Sequence, residues 1–295
     1  MIPLPKFREL SAIKNDRIIK PLDILQDPKT NNPIGFTMML LGNHESTPLA
    51  QLFTLGFRRK YGIQPEDMLK LVKDLQNTYT DVHASKCLVI DGNEFSFKVD
   101  NKMEKVYVLD VDSFQTPSYP ATFQMESIKD WHTKGFNSNT DWFAWGIVTF
   151  QMLIGIHPFR GFHKVYKDHF QDRMQRNLSV FDKDVDMPPS VLPFSVIPPT
   201  LLAWYKAVFQ NGKRMPPPID FVGGTITITA DIRRISGTDK FEITLVSSST
   251  SDIVEFLSVG GVRVTLTEDV TKKLPGAVYI GIGPKLGRKV FAYID

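Results

Sequence analysis

The sequence is poor in cysteine and in long apolar runs. Its 295 residues include one cysteine, Cys87, which excludes an internal disulfide and favours a reducing compartment such as the cytoplasm. No apolar run approaches the roughly 20 residues of a membrane span. Charged residues such as Lys6 and Arg17 interrupt the first 20 residues, where a secretory signal needs an apolar stretch. We therefore expect a cytoplasmic protein with no membrane partner.

Patterns for metal and nucleic-acid binding are also scarce. The six histidines show no HExxH spacing and no paired cysteines, which argues against a zinc site. The formal net charge is only +3, and the basic residues are scattered rather than arranged in a stripe with aromatics. We therefore expect no nucleic-acid partner. The densest basic cluster, FRRK at 57–60, is interpreted as a solvated face, with a phosphate contact as the alternative.

The residues that are present predict a globular protein with mixed structure. Hydrophobic residues make up 42% and charged residues 23% of the chain, the balance of a soluble globular protein. Segments 17–27 and 33–41 read as strands around the turn-forming sequence PKTNN. Segment 64–84 reads as a helix, because apolar residues recur at helical spacing and Pro65 suits the first helical position.

The middle of the chain predicts three short strands and a buried helix. The strands are expected at 86–91, 94–99 and 105–111. Segment 139–159, NTDWFAWGIVTFQMLIGIHPF, contains a helix that is apolar on every side. At about 15 residues this helix is too short to span a membrane, so it is expected to be a central core helix. Asn139 or Thr140 is expected to cap its start, and Gly155 and Pro158 are expected to end it.

The last third of the chain changes composition twice. Prolines are dense between 182 and 220, where they frame one predicted helix at 201–210. Beyond them, six short β-rich runs with turn residues between them predict a separate all-β domain at 221–295. The predicted runs are TITITADI, FEITLV, IVEFLSV, VRVTLT, AVYIGI and KVFAYI.

The apolar helix carries a resemblance to the protein kinase family. Segment 139–159 is similar to a kinase segment in its aspartate, its aromatics, its glycine and its final Pro-Phe. The resemblance implies that Asp141 has the structural role of fastening the backbone of the catalytic loop. From the residues alone, Asp141 is a capping aspartate of a core helix.

An upstream segment, VHASKCLVIDGNEFSFKV at 82–99, resembles the catalytic loop of kinases. The resemblance places Asp91 on the catalytic aspartate, which orients the substrate hydroxyl. It places Ser96 where the family has a metal-binding asparagine, and Asn93 where it has a lysine. Val89 and Ile90 replace the usual histidine and arginine.

The segment VYVLDVDSF at 106–114 resembles the kinase segment that holds magnesium. Asp110 falls on the magnesium-binding aspartate, and a carboxylate suits that ion. Asp112 replaces a glycine and is either a further ligand or part of a turn. Similarly, PIGFTMMLLGN resembles the strand before the kinase hinge. The resemblance therefore implies that the backbone near Leu40, Leu41 and Gly42 faces the adenine of ATP.

Segment FQNGKRMPPP resembles a late kinase segment in which an arginine pairs with a buried glutamate. The resemblance gives Arg214 that structural role, with Glu126 as the candidate partner. The motif around Glu126, FQMESIKD, departs from the Ala-Pro-Glu of the family.

Two elements of a working kinase are not found in the sequence. Residues 1–34 contain no glycine, so no glycine-rich loop precedes Gly35, and no lysine follows such a loop on a strand. Segment 3–13 looks like the end of the regulatory helix, with Glu9 as a possible partner for the missing lysine. We therefore expect either an incomplete gene product or a reduced relative of kinases.

The resemblance implies an α+β, protein-kinase-like fold of the divergent bacterial or phage type. A truncated N-lobe is expected at 1–43 and a helical C-lobe at 44–218, followed by the all-β domain. The implied function is transfer of a phosphoryl group from ATP with Mg²⁺ to a Ser or Thr of a protein substrate, feeble or absent in this chain.

Two other functions remain open from the sequence. One is a pseudokinase scaffold that binds a protein partner through its β domain. The other is a metal-dependent phosphotransferase of the haloacid dehalogenase type, in which the first aspartate of Asp-x-Asp is the nucleophile. Phe114 stands where that motif has Thr or Val, and the motif lies far from the N-terminus.

Overall fold

The computed structural model describes residues 3–42, 46–167 and 170–221, and the backbone of four strands between 253 and 292. The chain divides into two units, residues 1–231 and 232–295, and each is described by itself. The described residues form a mixed α/β structure with six α-helices and several small antiparallel sheets. None of the described helices is both long and apolar enough to cross a membrane.

The first unit begins with a short helix and a hairpin. Helix α1 spans Leu4–Ser11, and strand β1 (Pro21–Gln26) pairs antiparallel with β2 (Pro33–Met38). The Asp27 carboxylate accepts two backbone N–H groups of the turn between the strands, which is how aspartate favours a turn. The predicted hairpin is therefore confirmed, with shorter strands.

The second sheet has three antiparallel strands in the order β3-β4-β5. They are β3 (Ser46–Pro48), β4 (Phe97–Asp100) and β5 (Val106–Val108). The backbone N–H of Ile19 donates to the carbonyl of Val108 at 2.9 Å. This contact explains why β1 starts later than predicted: the chain around Ile19 follows β5 rather than β2.

The strand predicted at 86–91 is wrong. This segment makes one isolated β-bridge, between Leu88 and Gln115, and otherwise forms a loop. Its apolar side chains Val89 and Ile90 are buried, which is why the sequence looks like a strand. The backbone N–H groups of Val89 and Ile90 donate to the Asp141 side chain instead of a neighbouring strand.

Two helices follow β3. Helix α2 spans Leu55–Tyr61, and α3 spans Pro65–Ala84. Helix α3 has proline in its first turn and a capping box. In this box the Gln64 side chain accepts the backbone N–H of Asp67, and the Asp67 side chain accepts the backbone N–H of Gln64. Its apolar face is buried, as its periodicity predicts.

Helix α4 (Ser138–Ile154) is the centre of the core, with nearly every side chain buried. Its N-cap is Asn137, whose side chain accepts N–H groups of the first turn, rather than the predicted Asn139 or Thr140. Gly155 ends the helix at a φ of 86°, a conformation that favours glycine. Gly146 lets the Trp204 ring approach, because a Cβ there would lie 2.9 Å from the indole.

The remaining elements of the first unit complete this core. Strands β6 (Phe162–His163) and β7 (Val185–Asp186) form a small antiparallel pair, and α5 (Phe170–Gln175) lies between them in the chain. Helix α6 (Pro199–Phe209) confirms the helix predicted at 201–210. Its Tyr205 hydroxyl bonds to Thr149 of α4 at 2.9 Å.

The basic cluster at 57–60 is only partly a solvated face. Arg58 is 5% exposed and donates to the carbonyls of Leu52, Met152 and Leu153. The last carbonyls of α4 have no N–H partner within the helix, and the Arg58 guanidinium donates hydrogen bonds to two of them. Burial of this guanidinium lowers the pKa of Arg58 to about 10. The prediction of a solvated face is wrong for Arg58.

The second unit is described only in its strands. Strand β8 (Ile253–Val259) pairs antiparallel with β9 (Val262–Thr267), and β10 (Val278–Gly281) with β11 (Lys289–Ala292). All four lie within predicted β-rich runs. The runs predicted at 225–232 and 241–246 fall outside the described residues, so an all-β domain at 221–295 stays a prediction.

Candidate functional site

The loop between α3 and β4 contains a strained residue. Ile90 has a φ of 60°, in the left-handed region that β-branched residues rarely adopt. Its N–H donates to Oδ1 of Asp141 at 2.8 Å, and its carbonyl accepts from Nε2 of Gln124 at 2.7 Å. Strain of this kind persists only where surrounding groups enforce it, and it is common at functional sites.

Asp141 is the main anchor of this loop. It projects from the first turn of α4 and is 1% exposed. Its Oδ2 accepts the N–H of Val89 at 2.7 Å and lies 2.9 Å from Nε2 of His83. With the bond to Ile90, the carboxylate holds two successive backbone N–H groups. The carboxylate thus fastens the backbone of this loop to the start of α4, and a kinase role for Asp141 stays a prediction.

Asp91 follows the strained residue and is partly exposed. Its Oδ1 accepts the backbone N–H of Met125 at 2.7 Å, and Oδ2 has no donor among the described residues. The next residue, Gly92, packs so tightly that a Cβ would lie 2.1 Å from the Tyr79 hydroxyl oxygen. The fold therefore fixes Asp91 from both sides and leaves one carboxylate oxygen available.

Tyr79 lies beneath this loop with its hydroxyl buried and unpartnered among the described residues. Burial raises the pKa of Tyr79, and the negative charges of Asp141 and Asp91 raise it further. The phenol is therefore neutral at the base of the loop.

Ser96 connects the loop of Asp91 with the segment of Asp110. Its hydroxyl donates to the backbone carbonyl of Asp91 at 2.8 Å, and its own carbonyl accepts the N–H of Leu109 at 2.8 Å. Ser96 is 4% exposed. The side chain of Asn93 also donates to the Asp91 carbonyl, at 3.2 Å. These bonds place Asp110 beside the loop.

Asp110 lies just beyond β5 and has a φ of 54°, again in the left-handed region. Asp110 is exposed, but the protein around its carboxyl group keeps away part of the solvent. This partial desolvation raises the pKa of Asp110, and the negative charges of Asp112 and Asp91 raise it further. Asp110 thus lies close enough to both other carboxylates to feel their negative charges. Asp112 is exposed within a short 3-10 helix, and its carbonyl accepts Nζ of Lys6 at 2.6 Å.

These residues fit a magnesium ion only in part. Magnesium takes hard oxygen ligands, often one or two carboxylates together with substrate phosphate oxygens. Asp110 supplies one carboxylate, and a cation would relieve the repulsion that raises its pKa. In the described part of the chain, no group of three or more His, Cys, Asp or Glu could hold a metal. Phosphate oxygens would have to complete the coordination.

The pairing of Arg214 with Glu126 is wrong. Arg214 binds Asp130 instead, through Nε to Oδ2 and Nη2 to Oδ1, both at 2.7 Å. The Asp130 side chain is 1% exposed, whereas Glu126 is exposed in a short 3-10 helix. Burial alone would raise the pKa of Asp130, but the bonds and charge of Arg214 lower it below its usual value. Only Asp130 needs the guanidinium as a buried counter-charge.

The proposed adenine-facing residues lie at the end of β2. Leu40 is 88% exposed, and Leu41 and Gly42 are partly buried. Residues 43–45 fall outside the described chain, so the hinge is described only up to Gly42. A role in binding adenine stays a prediction.

Sequence reasoning missed three residues that shape this site. They are Gln124, which holds the Ile90 carbonyl; Gly92, which permits the approach to Tyr79; and Lys6, which binds the Asp112 carbonyl. Gly92 carries a usable signal, because a glycine often marks a position where another group approaches the backbone closely. Gln124 and Lys6 carry none, because their contacts join distant parts of the chain.

Comparison with known proteins finds only distant likenesses, among solved structures. No protein-family model matches the sequence, and no curated protein is significantly similar to it. Among solved structures, the kinase PK-1 of Cydia pomonella granulovirus is similar, with a TM-score of 0.43 and 16% identity. The match covers 59% of this chain and 61% of the viral chain, less than two thirds of its length. A likeness this distant carries no argument about activity.

Proposed function

We propose that this chain is a divergent protein-kinase-like protein that transfers the γ-phosphoryl group of ATP to a Ser or Thr hydroxyl, with low activity. The observation that carries the proposal is the strained loop at Ile90. Asp141 and Gln124 hold it in a costly conformation, and Asp91 is the residue that this conformation presents. The same loop is bonded through Ser96 to the segment of Asp110.

Each carboxylate has a distinct proposed role. The available oxygen of Asp91 orients the acceptor hydroxyl and receives its proton. Asp110 holds Mg²⁺, with the Ser96 hydroxyl as a weak second ligand. The ion would neutralise phosphate charge, while the protein residues hold the reactants in the orientation that transfer requires.

Low activity is expected from the composition of the first segment. Residues 1–34 contain no glycine, so we expect no glycine-rich loop from them over the phosphates. Val89 and Ile90 also replace the histidine and arginine implied by the resemblance. With these residues alone, we expect poor positioning of the γ-phosphate and slow transfer.

Nucleotide binding tests the proposal. A fluorescent ATP analogue should bind the protein in the presence of Mg²⁺, and Asp110→Asn should weaken that binding about tenfold or more. Asp112→Asn removes an equal charge from an exposed neighbour and is the matched control. The proposal would be overturned if neither the native protein nor the control bound the analogue.

A transfer assay separates an enzyme from a pseudokinase scaffold. Labelled ATP and a mixture of Ser- and Thr-containing peptides should give slow incorporation that Asp91→Asn abolishes. Binding of ATP without any transfer that depends on Asp91 would identify the chain as a scaffold.

A further inference from the structure

A cavity of about 530 Å³ opens beside the segment that fixes Asp91. Its walls come from the 3-10 helix after Met125, the turn after α4, and α5. Four charged residues contribute to the lining: Glu126, Arg160, Lys167 and Arg173. We call this space the basic cavity, because three of the four are cationic.

Two of the cations are free to meet a ligand. Arg160 and Lys167 are exposed, and neither has a carboxylate within 4.0 Å in the described part of the chain. The Arg160 guanidinium lies 5.7 Å from the centre of the Phe170 ring, which helps to hold it in place.

The third cation is built into the wall. Arg173 is 2% exposed and donates to the carbonyls of Leu178, Gly161 and Arg160 at 3.2, 2.8 and 3.0 Å. All its bonds are to neutral carbonyls, so its charge is not cancelled by a bound carboxylate. It therefore contributes a fixed positive charge beside the cavity.

A neighbouring histidine lies close enough to two of these arginines to feel their charge. His157 is buried, and its Nε2 lies 2.8 Å from the carbonyl of Ser127, a lining residue. Burial lowers the pKa of His157 to about 3, and the charges of Arg160 and Arg173 act in the same direction. Arg160 and Arg173 thus place positive charge beside this histidine and along the cavity wall.

The cavity is close to the proposed acceptor position. The backbone N–H of Met125 binds the Asp91 carboxylate, and the next two residues, Glu126 and Ser127, line the cavity. These two residues belong to the 3-10 helix, which rises about 2.0 Å per residue, so they span about 4 Å along its axis. A polypeptide with a hydroxyl at Asp91 could therefore place a side chain in the cavity from a few residues away.

We propose that the basic cavity binds an anionic side chain, a carboxylate or a phosphate, of the polypeptide substrate near the acceptor hydroxyl. This inference rests on the proposed function and adds a substrate class to it. Arg160 and Lys167 contact the anion directly, and Arg173 supports it from the wall. Guanidinium groups suit both carboxylate and phosphate, because they offer two parallel donors.

Peptide binding without ATP tests the proposal on the full chain. Fluorescein-labelled peptides carry one serine followed or preceded by glutamates, by phosphoserines, by lysines or by alanines. Anisotropy titrations at low salt should show anionic peptides binding about tenfold more tightly than the neutral one. The preference should shrink at high salt, since the contacts are charged and partly exposed. The glutamate and phosphoserine peptides distinguish carboxylate from phosphate.

Matched variants locate the binding site. Arg160→Gln and Lys167→Gln should each weaken binding of the preferred anionic peptide about three- to tenfold. Arg176→Gln removes the same charge from an exposed residue of the same region that stacks on Tyr166 and does not line the cavity. It should leave binding within about twofold of the native protein.

Three results would overturn the proposal. They are equal binding of anionic and neutral peptides, no binding of any peptide, and equal losses from Arg160→Gln and Arg176→Gln. Nucleotide is absent from these titrations, so a failure of ATP binding would be seen separately. Thermal melting of each variant confirms that a loss of binding is not a loss of folding.

Discussion

Asp141→Asn perturbs the anchor of the candidate site with little change in shape. In the native protein, the Asp141 carboxylate accepts the Val89 N–H on Oδ2 and the Ile90 N–H on Oδ1. Asparagine offers one acceptor oxygen and one NH₂ group, so it can accept only one of these bonds. The second backbone N–H would face the NH₂ group of asparagine, which is also a donor, in a buried site.

The cost follows from these two contacts. An unsatisfied buried donor costs about 1–3 kcal/mol, and hydrogen bonds to charged groups contribute about 1.5–3 kcal/mol. We expect the free energy of unfolding to fall by about 3 kcal/mol, which lowers the Tm by roughly 6–12 °C for a unit of this size. Urea denaturation followed by tryptophan fluorescence measures the change. Binding of ATP with Mg²⁺ should weaken as well, because Ile90 is released.

A control distinguishes this effect from loss of charge alone. Asp172→Asn makes the same substitution at an exposed residue of α5 with no side-chain partner among the described residues. It should change the free energy of unfolding by less than about 0.5 kcal/mol. If Asp141→Asn were as mild as this control, the reasoning about the two N–H groups would be refuted.

Three further predictions follow from buried charges and their partners. Arg214→Ala should lower the free energy of unfolding, measured by urea denaturation, by about 3–5 kcal/mol, because Asp130 stays buried without its partner. Asp130→Asn in that background should recover part of the loss. Equal stability of the native protein and Arg214→Ala would contradict this reasoning. The pKa of His157 is about 3 in the folded protein, against an ordinary value of 6.5 in an unfolded chain, so protons bind the unfolded state first and acid destabilises the fold between these values. From pH 7.5 to 5 this should remove about 2 kcal/mol, a loss that His157→Gln should lack; an unchanged pH profile would disprove the assignment. Lys6→Met should weaken Mg²⁺-dependent ATP binding about two- to fivefold, because the carbonyl of Asp112 loses its ammonium partner, and Lys6→Arg should restore part of it; native affinity in Lys6→Met would show that this contact has no positioning role.

The helices of the core could be predicted because their signals are local. Helix α3 has a proline start and one apolar face, and α4 is apolar all round with glycine at its end. The loop at 86–91 could not be predicted in the same way. Its buried Val89 and Ile90 look like a strand, but their backbone bonds go to Asp141, about fifty residues away in sequence.

Charged partners were the least predictable part of the site. Arg214 pairs with Asp130 rather than with Glu126, because Asp130 is buried and Glu126 is exposed. The sequence does not show which of the two acids is buried. Arg58 looked solvated because nothing local shows that the C-terminal end of α4 needs a donor. Such choices depend on which distant groups the fold leaves unsatisfied, and a single sequence does not contain that information.

Binding of Mn²⁺ in place of Mg²⁺ tests the central claim most directly. Electron paramagnetic resonance counts free Mn²⁺, so a titration with ATP present, after subtraction of the Mn²⁺ that ATP binds without protein, measures the ion held at Asp110. The account predicts one tightly bound ion per chain that needs ATP, is lost in Asp110→Asn and persists in Asp112→Asn. Equal binding by the native protein and Asp110→Asn would contradict the assignment of Asp110 as the metal ligand.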